Sequence, residues 1–126
     1  MANILIVDDD PINRLLLATV LIPLGHDIRE ATDGEQALRS LAASMPDLIV
    51  LDLSMPNMGG AAFLRALRRD LGSDTRVVLS TATRPDAAMH DFVRLFAIAD
   101  VLEKPSEPSE IVRIVARALE RPLPSA

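Results

Sequence analysis

In DLIVLDL, residues 47–53, four consecutive apolar residues, Leu48 to Leu51, run into an acid, Asp52. A strand that is apolar on both faces suits the centre of a parallel sheet, where helices cover each side. NILIV (3–7) has the same character and runs into Asp8, Asp9 and Asp10. RVVLST (76–81) and DVLE (100–103) read as further buried strands, and HDIREA (26–31) as a more polar one nearer an edge.

Between these runs the apolar spacing turns helical. DPINRLLLATVLIPLG (10–25) is a helix that ends near Pro23 and Gly25. Helices are also predicted over 32–44, 61–71, 85–97 and 107–120, with SMPNMGG (54–60) as a turn-rich loop. Thr32 and Glu35 have capping-box spacing at the start of the second helix. Asp10, followed by Pro11, reads as the N-cap of the first. Strand and helix alternate five times. That pattern predicts an α/β fold, a single (βα)5 unit with a doubly wound parallel five-stranded sheet. Residues 1–120 form the domain; RPLPSA (121–126), with two prolines, is a tail or the start of a linker.

The bulk composition narrows the function classes. The chain has 126 residues, 49% hydrophobic and 25% charged, which suits one folded domain. Its net charge of −5 argues against binding a nucleic-acid backbone, and three phenylalanines as the only aromatics leave little to stack on bases. The absence of cysteine excludes disulfides and thiolate metal sites, in keeping with a cytoplasmic location. The longest apolar stretch, Leu15 to Leu24, is interrupted by Thr19 and Pro23 and is too short to span a membrane.

In open parallel sheets, ligands bind beyond the carboxyl ends of the strands. Those ends carry Asp8, Asp9 and Asp10; Asp52; Ser80 and Thr81; and Glu103 and Lys104. If the first, third and fourth strands are neighbours, Asp8, Asp9 and Asp52 converge. Clustered carboxylates call for a cation or for protons, and oxygen-only ligands suit Mg²⁺ or a similar hard ion. A carboxylate, a metal, a lysine and a hydroxyl form a set suited to phosphoryl transfer. His26 and His90 have no partner at ligand spacing and read as surface or satisfied histidines.

ILIVDDDPINR, PDLIVLDLSMPNMGG, LSTAT and VLEKP together resemble the response-regulator receiver domain of two-component signalling, over residues 3 to 119. The resemblance implies a flavodoxin-like receiver fold and a conformational switch rather than an enzyme with a turnover substrate. It implies that Asp52 is the phospho-acceptor, taking a phosphoryl group from a phosphohistidine of a histidine kinase or phosphotransfer protein. It implies a Mg²⁺ (or Mn²⁺) site made by Asp8, Asp9, Asp52 and the backbone carbonyl of Ser54. Thr81, the backbone amide of Ala82 and Lys104 would contact the phosphoryl group, and the peptide bond before Pro105 would be cis. Ser54 and Thr83 occupy positions that influence water access and so the phosphoryl lifetime. The resemblance also implies a fused or separate output domain, and allows a homodimer through the last two helices and last strand.

Some positions depart from the pattern. Val101 stands where receivers carry Tyr or Phe, Ser106 replaces the usual aromatic after Lys-Pro, and Gly59 replaces an acid. Three competing readings follow from the residues. One is a pseudo-receiver that binds partners without being phosphorylated. Another is a haloacid-dehalogenase-like phosphatase using Asp8, since Asp8-x-Asp10 after a strand mimics its first motif. The third, a flavodoxin-like nucleotide binder, lacks a phosphate loop after the first strand.

Overall fold

The run 48–51 does become a central strand. In the computed structural model, which describes residues 1–55, 57–82 and 86–120, β3 (Leu48–Asp52) is buried at every residue. It lies between β1 (Asn3–Val7) and β4 (Arg76–Thr81), with β2 (Asp27–Ala31) and β5 (Asp100–Glu103) at the edges. All pairings are parallel, and the order is β2-β1-β3-β4-β5. HDIREA, read as an edge strand from its polarity, is one.

Side chains alternate across a strand, so each apolar strand feeds two cores. Ile4, Ile6, Leu48, Val50 and Val78 pack with Leu17 and Leu21 of α1 (Pro11–Leu21) and Ile111, Ile114, Val115 and Ala118 of α5 (Pro108–Glu120). Leu5, Val7, Ile49, Leu51, Val77 and Leu79 pack on the other face with Ala37, Leu41, Phe63, Leu67 and Met89. Those residues come from α2 (Gly34–Ala43), α3 (Gly60–Arg65) with the turn that extends it, and α4 (Ala87–Leu95). Each fully buried aliphatic side chain contributes roughly 1.5–3 kcal/mol, which suffices to hold the helices on both faces.

The helix ends show where local chemistry differs from the expected pattern. Asp10 caps α1 by accepting from the Ile12 N–H, with Pro11 at the first helical position. A 3-10 turn, Ile22–Leu24, follows α1 and ends at Gly25, whose φ of 94° needs no Cβ. At α2 the cap is Asp33 rather than Thr32. Asp33 accepts from the Gln36 N–H, and the Gln36 side chain reaches back to the N–H of Thr32, the residue before the cap. The second Asp33 oxygen takes the Asn57 amide, at 3.1 Å.

The third helix was expected over 61–71. It is α-helical to Arg65 and then widens to a π turn, Ala66–Asp70. There Arg68 donates to the carbonyls of Phe96, Ser73 and Thr75. The fourth, expected over 85–97, starts later at Ala87, capped by Asp86. Pro56, Pro85 and the tail 121–126 lie outside the described residues.

Candidate functional site

Val7 pairs with Leu51 and Asp52 with Ser80, so the residues that end β1, β3 and β4 stand side by side. Asp8 and Asp52 are buried, 1% and 7% exposed, while Asp9 faces solvent. One carboxylate oxygen from each of Asp8, Asp9 and Asp52 lies within 4.8 Å of the others. Three hard oxygen donors, one of them open to water, fit a small divalent cation such as Mg²⁺ or Mn²⁺.

Lys104, just past β5, reaches into this cluster. Its Nζ is 2.9 Å from Asp8 Oδ2 and 3.6 Å from Asp52 Oδ2. The Lys104 N–H donates to the Thr81 carbonyl at 2.7 Å, and the Lys104–Pro105 peptide bond is cis. Thr81 is buried at the end of β4, and Ala82 follows it at the surface. Asp52 Oδ1 accepts from the Ser54 N–H at 3.2 Å. Val101 lies in β5 opposite Leu79, half-buried against the core that includes Met89 and Phe96. Thr83 lies outside the described residues.

The electrostatics follow from this crowding. Burial pushes the Asp52 carboxyl above its usual range, and the charges of Asp8 and Asp9 add to that, against the Ser54 N–H and Lys104. Burial alone would lower Lys104, but the hydrogen bond and charge of Asp8, with the charges of Asp52 and Asp10, raise it. His26 is satisfied as expected: its Nδ1 accepts from the Ala2 N–H. Burial and then the nearby N-terminal charge lower its pKa.

The loop after Asp52 is held from two sides. Gly60 N–H donates to the Leu53 carbonyl, and a Cβ there would lie 2.7 Å from Leu53 Cα and 2.8 Å from the Asp52 carbonyl oxygen. Across from it, the Gly34 N–H donates to the Met58 carbonyl, and Asn57, at φ 60°, donates its side chain to Asp33. The Asp33 carboxyl is held below its usual range by the Gln36 N–H and by Asn57.

Sequence reasoning placed Asp8, Asp9, Asp52, Thr81 and Lys104 correctly at one end of the sheet. It missed Asn13, Arg14 and the Asp33–Asn57 contact. Asn13 is buried and donates to Asp8 Oδ2 at 2.6 Å; Arg14 donates to the Asp8 carbonyl and pairs with Glu30. A signal for Asn13 was present. It lies four and eight residues before Leu17 and Leu21, on the buried stripe of α1, where a polar side chain needs a partner.

The family model for the response regulator receiver domain matches residues 4–116. The chain is 49% identical over 71 residues to the sensor protein EvgS of Escherichia coli K12, covering 56% of this chain and 6% of that protein. It is 37% identical over 119 residues to the DNA-binding response regulator MtrA of Mycolicibacterium smegmatis, covering 94% of this chain and 51% of MtrA. The chain thus spans about half, or far less, of the length of these curated relatives. The structure of the chemotaxis response regulator CheY4 of Vibrio cholerae superposes with a TM-score of 0.85 at 26% identity, covering 94% of this chain and 98% of that one. Motif order, sheet topology and the acid–lysine cluster agree with these matches, and the chain belongs to the response regulator receiver domain family of two-component signalling.

Proposed function

We propose that this receiver is phosphorylated on Asp52. The observation that carries the reading is the convergence of a buried acceptor carboxylate, two further acids and Lys104 at the carboxyl end of a parallel sheet. An Asp52 carboxylate oxygen attacks the phosphorus of a phosphohistidine. The P–N bond breaks, the imidazole leaves with its electron pair, and an acyl phosphate forms. The Ser54 N–H holds Asp52 Oδ1 and orients the carboxylate. Lys104 and Thr81, with the Ala82 N–H, take the phosphoryl oxygens. Asp8, Asp9, Asp52 and the Ser54 carbonyl would hold Mg²⁺ (or Mn²⁺), which supplies positive charge against the phosphoryl oxygens.

Ser54 and Thr83 govern how water reaches the acyl phosphate, and Val101 takes the place of the ring that usually follows the threonine inward. The proposed partners are a histidine kinase or phosphotransfer protein and a fused or separate output domain in the cytoplasm. A homodimer through the face of α4, β5 and α5 has exposed Leu95 and Val112 to draw on; a sedimentation coefficient unchanged by phosphorylation would count against it. The receiver-family match over residues 4–116 disfavours the reading of Asp8 as the nucleophile of a phosphatase.

The test is incubation with acetyl phosphate, with Mg²⁺ or with a chelator, followed by intact mass. One added phosphoryl group that requires the metal is the expected outcome. No addition under either condition would favour a partner-binding pseudo-receiver.

A further inference from the structure

We infer that Asn13 is a positioning residue for phosphoryl transfer: it holds Asp8 in place so that Lys104 can leave Asp8 for the phosphoryl group. The inference rests on the reading of Asp52 as acceptor. It starts from the donors around Asp8. This carboxylate is 1% exposed, so water cannot satisfy it freely. Its Oδ1 accepts from the Asp10 N–H at 2.9 Å. Its Oδ2 accepts from Asn13 Nδ2 at 2.6 Å and faces Lys104 Nζ at 2.9 Å.

Lys104 is closer to Asp8 than to Asp52, where its distance is 3.6 Å. To serve a phosphoryl group on Asp52, it must loosen its grip on Asp8. Were Lys104 the sole donor to Oδ2, that motion would strand a buried charge. Asn13 prevents this. It sits in the first turn of α1, is 8% exposed, and also directs Nδ2 towards Ser80 Oγ at 3.4 Å. It is therefore anchored between the ends of β1 and β4. Being neutral, it gives Asp8 a donor without a positive charge that would compete with a cation. A lysine or arginine at this position would satisfy Asp8 but repel the metal.

The experiment compares wild type with Asn13→Leu, which keeps the branched shape and number of side-chain heavy atoms and removes the donor, and with Asn13→Asp, which replaces the donor by a charge. Two readouts are taken on folded protein: the Kd for Mg²⁺ alone by NMR titration, and the rate of phosphoryl gain from acetyl phosphate at saturating Mg²⁺. The expected pattern is a split. Asn13→Leu weakens Mg²⁺ binding because Asp8 Oδ2 loses its fixed neutral donor and is held less firmly, whereas Asn13→Asp strengthens it by adding negative charge. Both variants transfer about tenfold more slowly than wild type. A merely structural role would lower the melting temperature and leave no such split.

Either variant transferring at the wild-type rate overturns the inference, as does a slowing that vanishes once rates are scaled to the folded fraction. If wild type gains no phosphoryl group, the reading of Asp52 has failed. The Mg²⁺ pattern still judges Asn13 in that case, since an unchanged Kd in both variants would refute its hold on Asp8.

Discussion

Gly60 shows how much of the site depends on a single missing atom. The first residue of α3 lies so close beneath the strand end that a Cβ would stand 2.7 Å from Leu53 Cα and 2.8 Å from the Asp52 carbonyl oxygen. Both neighbours are backbone and cannot rotate away. Gly60→Ala should therefore push the loop off Asp52, at a cost of about 1–3 kcal/mol for overpacking, despite alanine's better helix propensity. Urea unfolding checks this; equal or higher stability in the variant would show that the close approach is relieved cheaply. Of the residues at this scale, the acids and Lys104 were readable because each ends an apolar run. Asn13 was readable only as a polar residue on the buried stripe of α1; that its partner is Asp8 depends on which way α1 turns on the sheet, a fact that strand–helix alternation does not carry.

Among the elements, α2 and the loop after β3 behave as one unit. Asp33 caps α2 through one oxygen and takes the Asn57 amide with the other, and the Gly34 N–H donates to the Met58 carbonyl. The capping-box spacing at Thr32 and Glu35 pointed to the right helix but the wrong residue, and the Asn57 that also bonds Asp33 lies 24 positions away, out of reach of a local motif. The two bonds to Asp33 favour its ionised carboxylate. Because the folded carboxyl is depressed, the unfolded chain takes up the proton first as the pH falls. The stabilisation is thus complete above the unfolded value of about 3.9 and is lost as the pH drops through the folded value. Asp33→Asn keeps an acceptor for Gln36 but turns an N–H₂ towards Asn57. Its melting temperature should lie below wild type at neutral pH, with the gap closing in acid; a gap independent of pH would assign the effect elsewhere.

A second link between elements is Arg68, whose fork reaches carbonyls of Ser73, Thr75 and Phe96 from the π turn. One ammonium cannot serve the same geometry. Arg68→Lys should cost about 1–3 kcal/mol for carbonyls left unpaired, read as a lower midpoint in urea. A midpoint within error of wild type would mean that water replaces the fork. Nothing in the local sequence marked Arg68, which sits beside Arg69 and three residues after Arg65.

At the scale of the molecule, the fold was legible because β1, β3 and β4 are apolar on both faces. That property fixes a buried parallel sheet with helices on either side and brings the strand ends together. The functional reading depends on the same geometry: Asp8 and Asp52 become neighbours through the strand order, although 44 positions separate them, and Lys104 closes the cluster from β5. What lay beyond the sequence were contacts made by side chains on different helices and loops, where no period or motif constrains the partner. The central claim is that this convergence makes Asp52 the acceptor. The most direct test is intact mass of wild type and Asp52→Asn after identical treatment with acetyl phosphate and Mg²⁺. The account predicts one phosphoryl group on wild type and none on the variant; equal phosphorylation of the two proteins would contradict it.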